Sequence, residues 1–149
     1  MKLIRRESIG AIASDEKKPG LLERVLAKRG INHQNELGFE LKQLHPISLL
    51  NGIDQAVDII IDAFDKQLNI LIVGDFDADG ATATALSVRA FNILGYKGKV
   101  DFLVPNRFEY GYGLTPEIVN DAQRFSPDII ITVDNGSSSI EGVGEAERV

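Results

Sequence analysis

Three aspartates stand at alternate positions in Asp75-Phe-Asp-Ala-Asp-Gly80, and a fourth opens Asp134-Asn-Gly136. Carboxylates held close together repel and raise one another's pKa. A hard divalent cation removes that conflict, and oxygen ligands suit Mg²⁺ and Mn²⁺. In an extended segment, spacing by two points Asp75, Asp77 and Asp79 to one side. The bland alternative is that these acids cap a helix beginning near residue 79, since Asp is a good cap and acids favour a helix amino terminus. That accounts for one acid, but not for three at alternate positions with a fourth elsewhere.

Three other motif readings fail. The string also matches the start of an EF-hand loop, which needs a bidentate Glu at its twelfth position. Counted from Asp75, that position is Leu86. The segment before Asp75 also reads as a strand, not a helix. Gly111-Tyr-Gly113 has no Gly three residues on, and Gly-Lys-Ser/Thr is absent, so neither the dinucleotide fingerprint nor the P-loop is supported.

The elements that must position the acids follow from periodicity. Ile70-Leu-Ile-Val73 is a continuous apolar run, as expected of a strand buried on both faces. A helix is predicted over residues 79–94 and a second strand over 100–104. Thr115 and Pro116 signal a helix start, and residues 128–133 form a third buried strand. Ser138-Ser-Ile-Glu141 has the form of a capping box opening a further helix. Strand, helix, strand, helix, strand implies right-handed crossovers and a parallel sheet. Ligands then bind beyond the carboxyl ends of the strands, where both aspartate segments fall. Upstream, Ile53, Val57, Ile60, Ile61 and Phe64 mark an amphipathic helix over about residues 53–67. Leu21 to Leu26 have helical spacing before Gly30, residues 1–19 read as a polar lead-in, and 31–50 as irregular. The organisation expected is a partly helical lead-in over 1–50 and an α/β unit over 51–149.

Composition fits this picture. The 149 residues suit one domain, and 44% hydrophobic content allows a core. The absence of Cys excludes disulfides, thiolate metal sites and thiol nucleophiles. No apolar run approaches the roughly 20 residues needed to span a bilayer, and the amino terminus lacks a signal-peptide core. A soluble cytoplasmic protein is expected. The net charge of -6 divides into +3 over residues 1–50 and -9 over 51–149. An acidic site half argues against simple backbone binding of nucleic acid, and fits a carboxylate site whose cations supply the positive charge a phosphate needs.

Three segments together resemble the motifs of the DHH phosphoesterase superfamily, in particular its bacterial single-strand DNA exonucleases: residues 72–84, residues 105–114 and residues 131–137. Residues 44–47 and 52–57 are also similar, and the resemblance covers about residues 20–140. It implies a Rossmann-like DHH domain and metal-dependent hydrolysis of single-stranded DNA from the 5′ end by two metals, Mn²⁺ or Mg²⁺, in repair and recombination. Single-strand-binding protein and a helicase are the implied partners. Carried over by residue, Asp77, Asp79 and Asp134 match metal-ligand positions, with Asp134 expected to bridge two metals. Asp75 matches an active-site acid, either a ligand or the partner of one. Arg107 is a candidate phosphate contact, or else a solvated partner of Glu109. Tyr110 and Tyr112 would stack on a base or simply pack their glycine-rich loop. Asn135 is a candidate substrate contact and, with Gly136, shapes the turn after Asp134. Ser137 to Ser139 offer donors to phosphate or cap a helix. Thr82 and Thr84 lie in first turns whose amides favour an anion. His33 and His45 read as structural or exposed.

One departure matters. The superfamily is named for an Asp-His-His motif expected after a fourth strand, and this chain has no adjacent histidines. The expectation is a truncated chain, inactive alone. The alternatives are another DHH phosphoesterase, acting on oligonucleotides, cyclic dinucleotides or pyrophosphate, and a non-catalytic binding relative.

Overall fold

The apolar run Ile70–Val73 forms β1, and all four of its residues are buried. The computed structural model describes residues 20–31, 33–38 and 40–149, without the side chains of residues 34, 35 and 107. The polar lead-in proposed for residues 1–19 lies outside them. The chain divides into two compact units, Met1–Asn51 and Gly52–Val149. In the first, α1 spans Leu21–Lys28 and three short 3-10 turns follow, at Gln34–Leu37, Leu41–Gln43 and Ile47–Leu49. His33 and His45 are exposed.

The second unit opens with α2, Ile53–Lys66. Then come β1, α3 (Ala78–Ile93), β2 (Val100–Leu103), the single turn α4 (Arg107–Tyr110), α5 (Pro116–Ala122), β3 (Ile129–Thr132) and α6 (Ile140–Ala146). The sheet is parallel with order β2-β1-β3, so β1 is central. Thr115 caps α5 as expected, its hydroxyl accepting from Ile118 N–H, with Pro116 in the first turn.

Alternation along β1 divides the core in two. Leu71 and Val73 face Leu114, Ile118, Val119 and Ala122 of the α5 side. Ile70 and Ile72 face Ala63, Phe91 and Tyr96, with Phe64 packed against them. The rings of Phe64 and Tyr96 meet edge to face at 4.8 Å, and the Tyr96 hydroxyl donates to the carbonyls of Ala63 and Leu68. The stripe that α2 buries is narrower than its periodicity suggested. Ala63 lies fully inside and Ile60 and Phe64 are partly covered, whereas Val57 and Ile61 remain exposed.

Two expectations are corrected. β3 is only half-buried rather than buried, because it lies at the edge of the sheet and is covered less completely than β1. The capping box at residues 138–141 does not form. Ser139 is the N-cap of α6 without a side-chain cap bond, and its hydroxyl instead accepts from Leu114 N–H at 3.0 Å.

The chain crosses from β1 to β2 in one direction and from β2 past β1 to β3 in the other. Crossovers of one hand must then lie on opposite faces, and α3 and α5 do so. The segment after β1 therefore departs toward the α3 face, and the segment after β3 toward the α5 and α6 face. This divergence opens a crevice at the carboxyl ends of β1 and β3, where doubly wound sheets place their ligands. No helix among the described residues is long and apolar enough to cross a membrane.

Candidate metal centre

Asp75 follows β1 by two residues and is the most enclosed of the four acids, with 6% of its surface exposed. Its Oδ1 accepts from Phe76 N–H at 2.8 Å. Behind it, two glycines let α3 press against the loop. A Cβ on Gly74 would enter the Thr84 hydroxyl, and one on Gly80 would lie 2.6 Å from Asp75 Cα. Thr84 in turn donates to Gly80 O at 2.8 Å.

Asp77 is the N-cap of α3, in extended conformation. One oxygen, Oδ1, accepts from Asp79 N–H at 3.1 Å and Gly80 N–H at 3.0 Å. The capping role is thus real, but it occupies a single carboxylate oxygen. Because α3 starts at Ala78, the segment is not extended through Asp79 as expected. Helical rotation replaces strand alternation from this point, so spacing by two no longer places Asp79 on one side with its neighbours.

Asp134 enters from β3 with φ 62°, in the left-handed region that Asn and Asp tolerate best among residues with a side chain. Gly136 follows with φ 100°, and a Cβ there would collide with Thr132. The Asn135 amide nitrogen donates to the carbonyls of Val133 at 3.0 Å and Val73 at 3.3 Å. The Tyr112 hydroxyl donates to Asp134 O at 3.4 Å, and 66% of this residue is exposed.

These turns bring one oxygen each of Asp75, Asp77 and Asp134 within 4.8 Å of one another. Asp79 is not in that group. Its charge still reaches the site: partial desolvation, then the carboxylates of Asp77, Asp79 and Asp75, and a hydrogen bond with Asp77, hold Asp134 above the usual carboxylate range. None of the ion pairs among the described residues involves these four acids. Crowded hard oxygens with no ion-pair partner among the described side chains, one of them raised toward protonation, fit a divalent metal.

The other candidates distribute unevenly. Arg107 begins α4, but its side chain lies outside the described residues. Glu109, considered as its partner, receives a bond from Asn106 Nδ2 at 3.2 Å. Tyr110 packs against the α5-side core, whereas Tyr112 stays at the rim. Thr82 and Thr84 donate their hydroxyl hydrogens back into their own helix. Ser137 and Ser138 are exposed. Sequence reasoning did not single out Gly74 or the Asn135 strap. The small residues flanking the acidic string were the available signal.

The amino-terminal domain of the DHH family matches residues 69–149. The chain is 47% identical over 149 residues to the single-stranded-DNA-specific exonuclease RecJ of Escherichia coli (strain K12), covering all of this chain and 26% of that protein. It is 35% identical over 100 residues to the protein of the same name from Bacillus subtilis (strain 168), covering 67% of this chain and 12% of that one. It thus spans about a quarter of the length of the curated relatives it matches most fully. The crystal structure of exonuclease RecJ bound to manganese aligns with a TM-score of 0.52 at 36% identity, over 61% of this chain and 23% of that one. With its carboxylates gathered at the crevice of a parallel sheet and its family domain matched over more than half its length, the chain belongs to the DHH family.

Proposed function

We propose that this chain supplies the aspartate cluster of a single-strand-specific DNA exonuclease that hydrolyses phosphodiester bonds from the 5′ end. The observation that carries the reading is the convergence of Asp75, Asp77 and Asp134 within 4.8 Å at the sheet crevice. The exonuclease names of its relatives and the manganese in a structural neighbour support it. DNA repair and recombination in the cytoplasm are the setting this reading implies, with single-strand-binding protein and a helicase as partners.

Asp75, Asp77 and Asp134 would hold the Mn²⁺ or Mg²⁺ of a two-metal site, with Asp79 adding its charge to the same field. A bound cation supplies charge for the phosphate oxygens and acidifies an attacking water. The protein's own part is positional. Asp77 is fixed by the amides it caps, Asp75 by its enclosure beneath α3, and Asp134 by its left-handed turn. Arg107 is proposed as a phosphate contact, and the exposed ring of Tyr112 as a stacking surface for a base. The amide hydrogens of Asn135 point to strand carbonyls, so its contribution to substrate would run through the turn it braces.

The test uses the protein that carries this chain, incubated with 5′- and 3′-labelled single-stranded DNA and Mn²⁺. Release of nucleotides from the 5′ end, lost in chelator and in Asp77→Ala, is expected. Wild-type activity in Asp77→Ala would sink the assignment.

A further inference from the structure

Asn135 sits between the acids it does not join. Its Nδ2 donates to Val73 O, two residues before Asp75, and to Val133 O, one residue before Asp134. Val73 O also accepts the ladder bond from Val133 N–H at 3.0 Å, so one carbonyl is gripped twice. Two carbonyl acceptors fix which way the amide faces, because the reverse orientation would set oxygen against oxygen. The orientation has a cost: Asn135 Oδ1 is buried without a hydrogen-bond partner among the described residues. Buried acceptors are normally satisfied, so this arrangement is poorly explained by stability alone. The same residue lies between Asp134, at φ 62°, and Gly136, at φ 100°. A turn this unusual persists where its surroundings over-determine it.

We propose that Asn135 is the positioning residue of the metal centre. It straps the end of β3 to the end of β1 and so sets Asp134 against Asp75 and Asp77. This rests on the reading that the three aspartates hold a cation, and it adds a side chain whose amide donates to backbone carbonyls rather than to their carboxylates. Groups that orient ligands without binding metal govern affinity by about ten- to a hundredfold.

The deciding experiment is Mn²⁺ titration of the chain by calorimetry, on wild type, Asn135→Ala and Asn135→Asp, with circular dichroism in chelator to confirm the fold. Wild type is expected to bind, and both variants to bind at least about tenfold more weakly. Asn135→Asp is the sharper variant. It has nearly the same shape and adds a negative charge beside the cluster, so a residue that merely filled the turn would give tighter Mn²⁺ binding when replaced this way. Equal or tighter binding by Asn135→Asp overturns the proposal while leaving the metal centre intact. Absence of Mn²⁺ binding by wild type overturns the metal centre, and this inference with it. Should Asn135→Ala not fold, Asn135→Asp decides.

Discussion

Gly80 lies so close beneath Asp75 that a methyl group added to it would sit 2.6 Å from Asp75 Cα. This contact lets the first turn of α3 reach the strand end and offer its amides to Asp77. Gly80→Ala is expected to lower unfolding free energy by about 1–3 kcal/mol through overpacking and to weaken Mn²⁺ binding by displacing Asp75. Gly144, within α6, has no heavy atom of the described residues within 4 Å of its would-be Cβ apart from its chain neighbours and its own helix backbone. Gly144→Ala should therefore gain stability, by up to about 1 kcal/mol from helix propensity. Urea melts of the two variants check both signs, and a mild Gly80→Ala would contradict the packing argument.

Asp134 makes metal-free stability depend on pH. Desolvation and its three acidic neighbours raise its folded-state pKa above the ordinary carboxylate value. The folded chain then holds the proton more tightly than the unfolded chain. This contribution to stability is fully present below the ordinary carboxylate pKa and is lost as pH rises through the raised one. In chelator, melting temperature should decline across that window. Asp134→Asn, which keeps the tolerance for φ 62°, should flatten the decline and melt higher than wild type at neutral pH. The same variant should forfeit the stabilisation that Mn²⁺ gives wild type. A lower neutral-pH melting temperature for the variant in chelator would show that repulsion is not what strains the site.

Tyr96 anchors the opposite core. Removing its hydroxyl in Tyr96→Phe leaves the carbonyls of Ala63 and Leu68 without that donor. A loss of about 1–3 kcal/mol is expected, arising at Leu68 O, since Ala63 O keeps its bonds from the Gln67 and Leu68 N–H groups. Mn²⁺ affinity measured on the folded variant should not change, because the Tyr96 hydroxyl bonds to Leu68 O, just before β1, whereas the acids follow the carboxyl ends of β1 and β3.

Tyr112 separates stacking from hydrogen bonding. Tyr112→Ala should weaken binding of single-stranded DNA to the protein carrying this chain by about 1–3 kcal/mol per stacked base. Tyr112→Phe keeps the ring and loses only the 3.4 Å bond to Asp134 O, so it should bind nearly as wild type. Fluorescence anisotropy with labelled oligonucleotides distinguishes them. Equal weakening in both variants would mean that the hydroxyl, not the ring, matters.

The strands and most helices of the α/β unit were legible from periodicity or from a residue with one local use, whereas the single turn α4 carried neither signal. Ile70 to Val73 are apolar without interruption and lie at the centre of the sheet, and Thr115-Pro116 begins a helix. Less was legible where a side chain had two possible partners. Ser139 has the spacing of a cap, yet its hydroxyl serves Leu114 on another element. Asp79 fits an alternating pattern, but that pattern ends when α3 begins one residue earlier. The brace at Asn135 depends on the ends of β1 and β3 being neighbours, and local spacing does not reveal that pairing.

That pairing also orders events in time. β1 and β3 join Ile70 to Ile129 across two crossovers, among the most distant contacts in the sheet. Closing such a span is slow compared with forming a local helix. Asp75 and Asp77 lie two residues apart on one loop, whereas Asp134 can join them only once β3 pairs with β1. A cation supplied to the unfolded chain therefore finds no pocket to template, and its uptake during refolding would mark the final closure of the sheet.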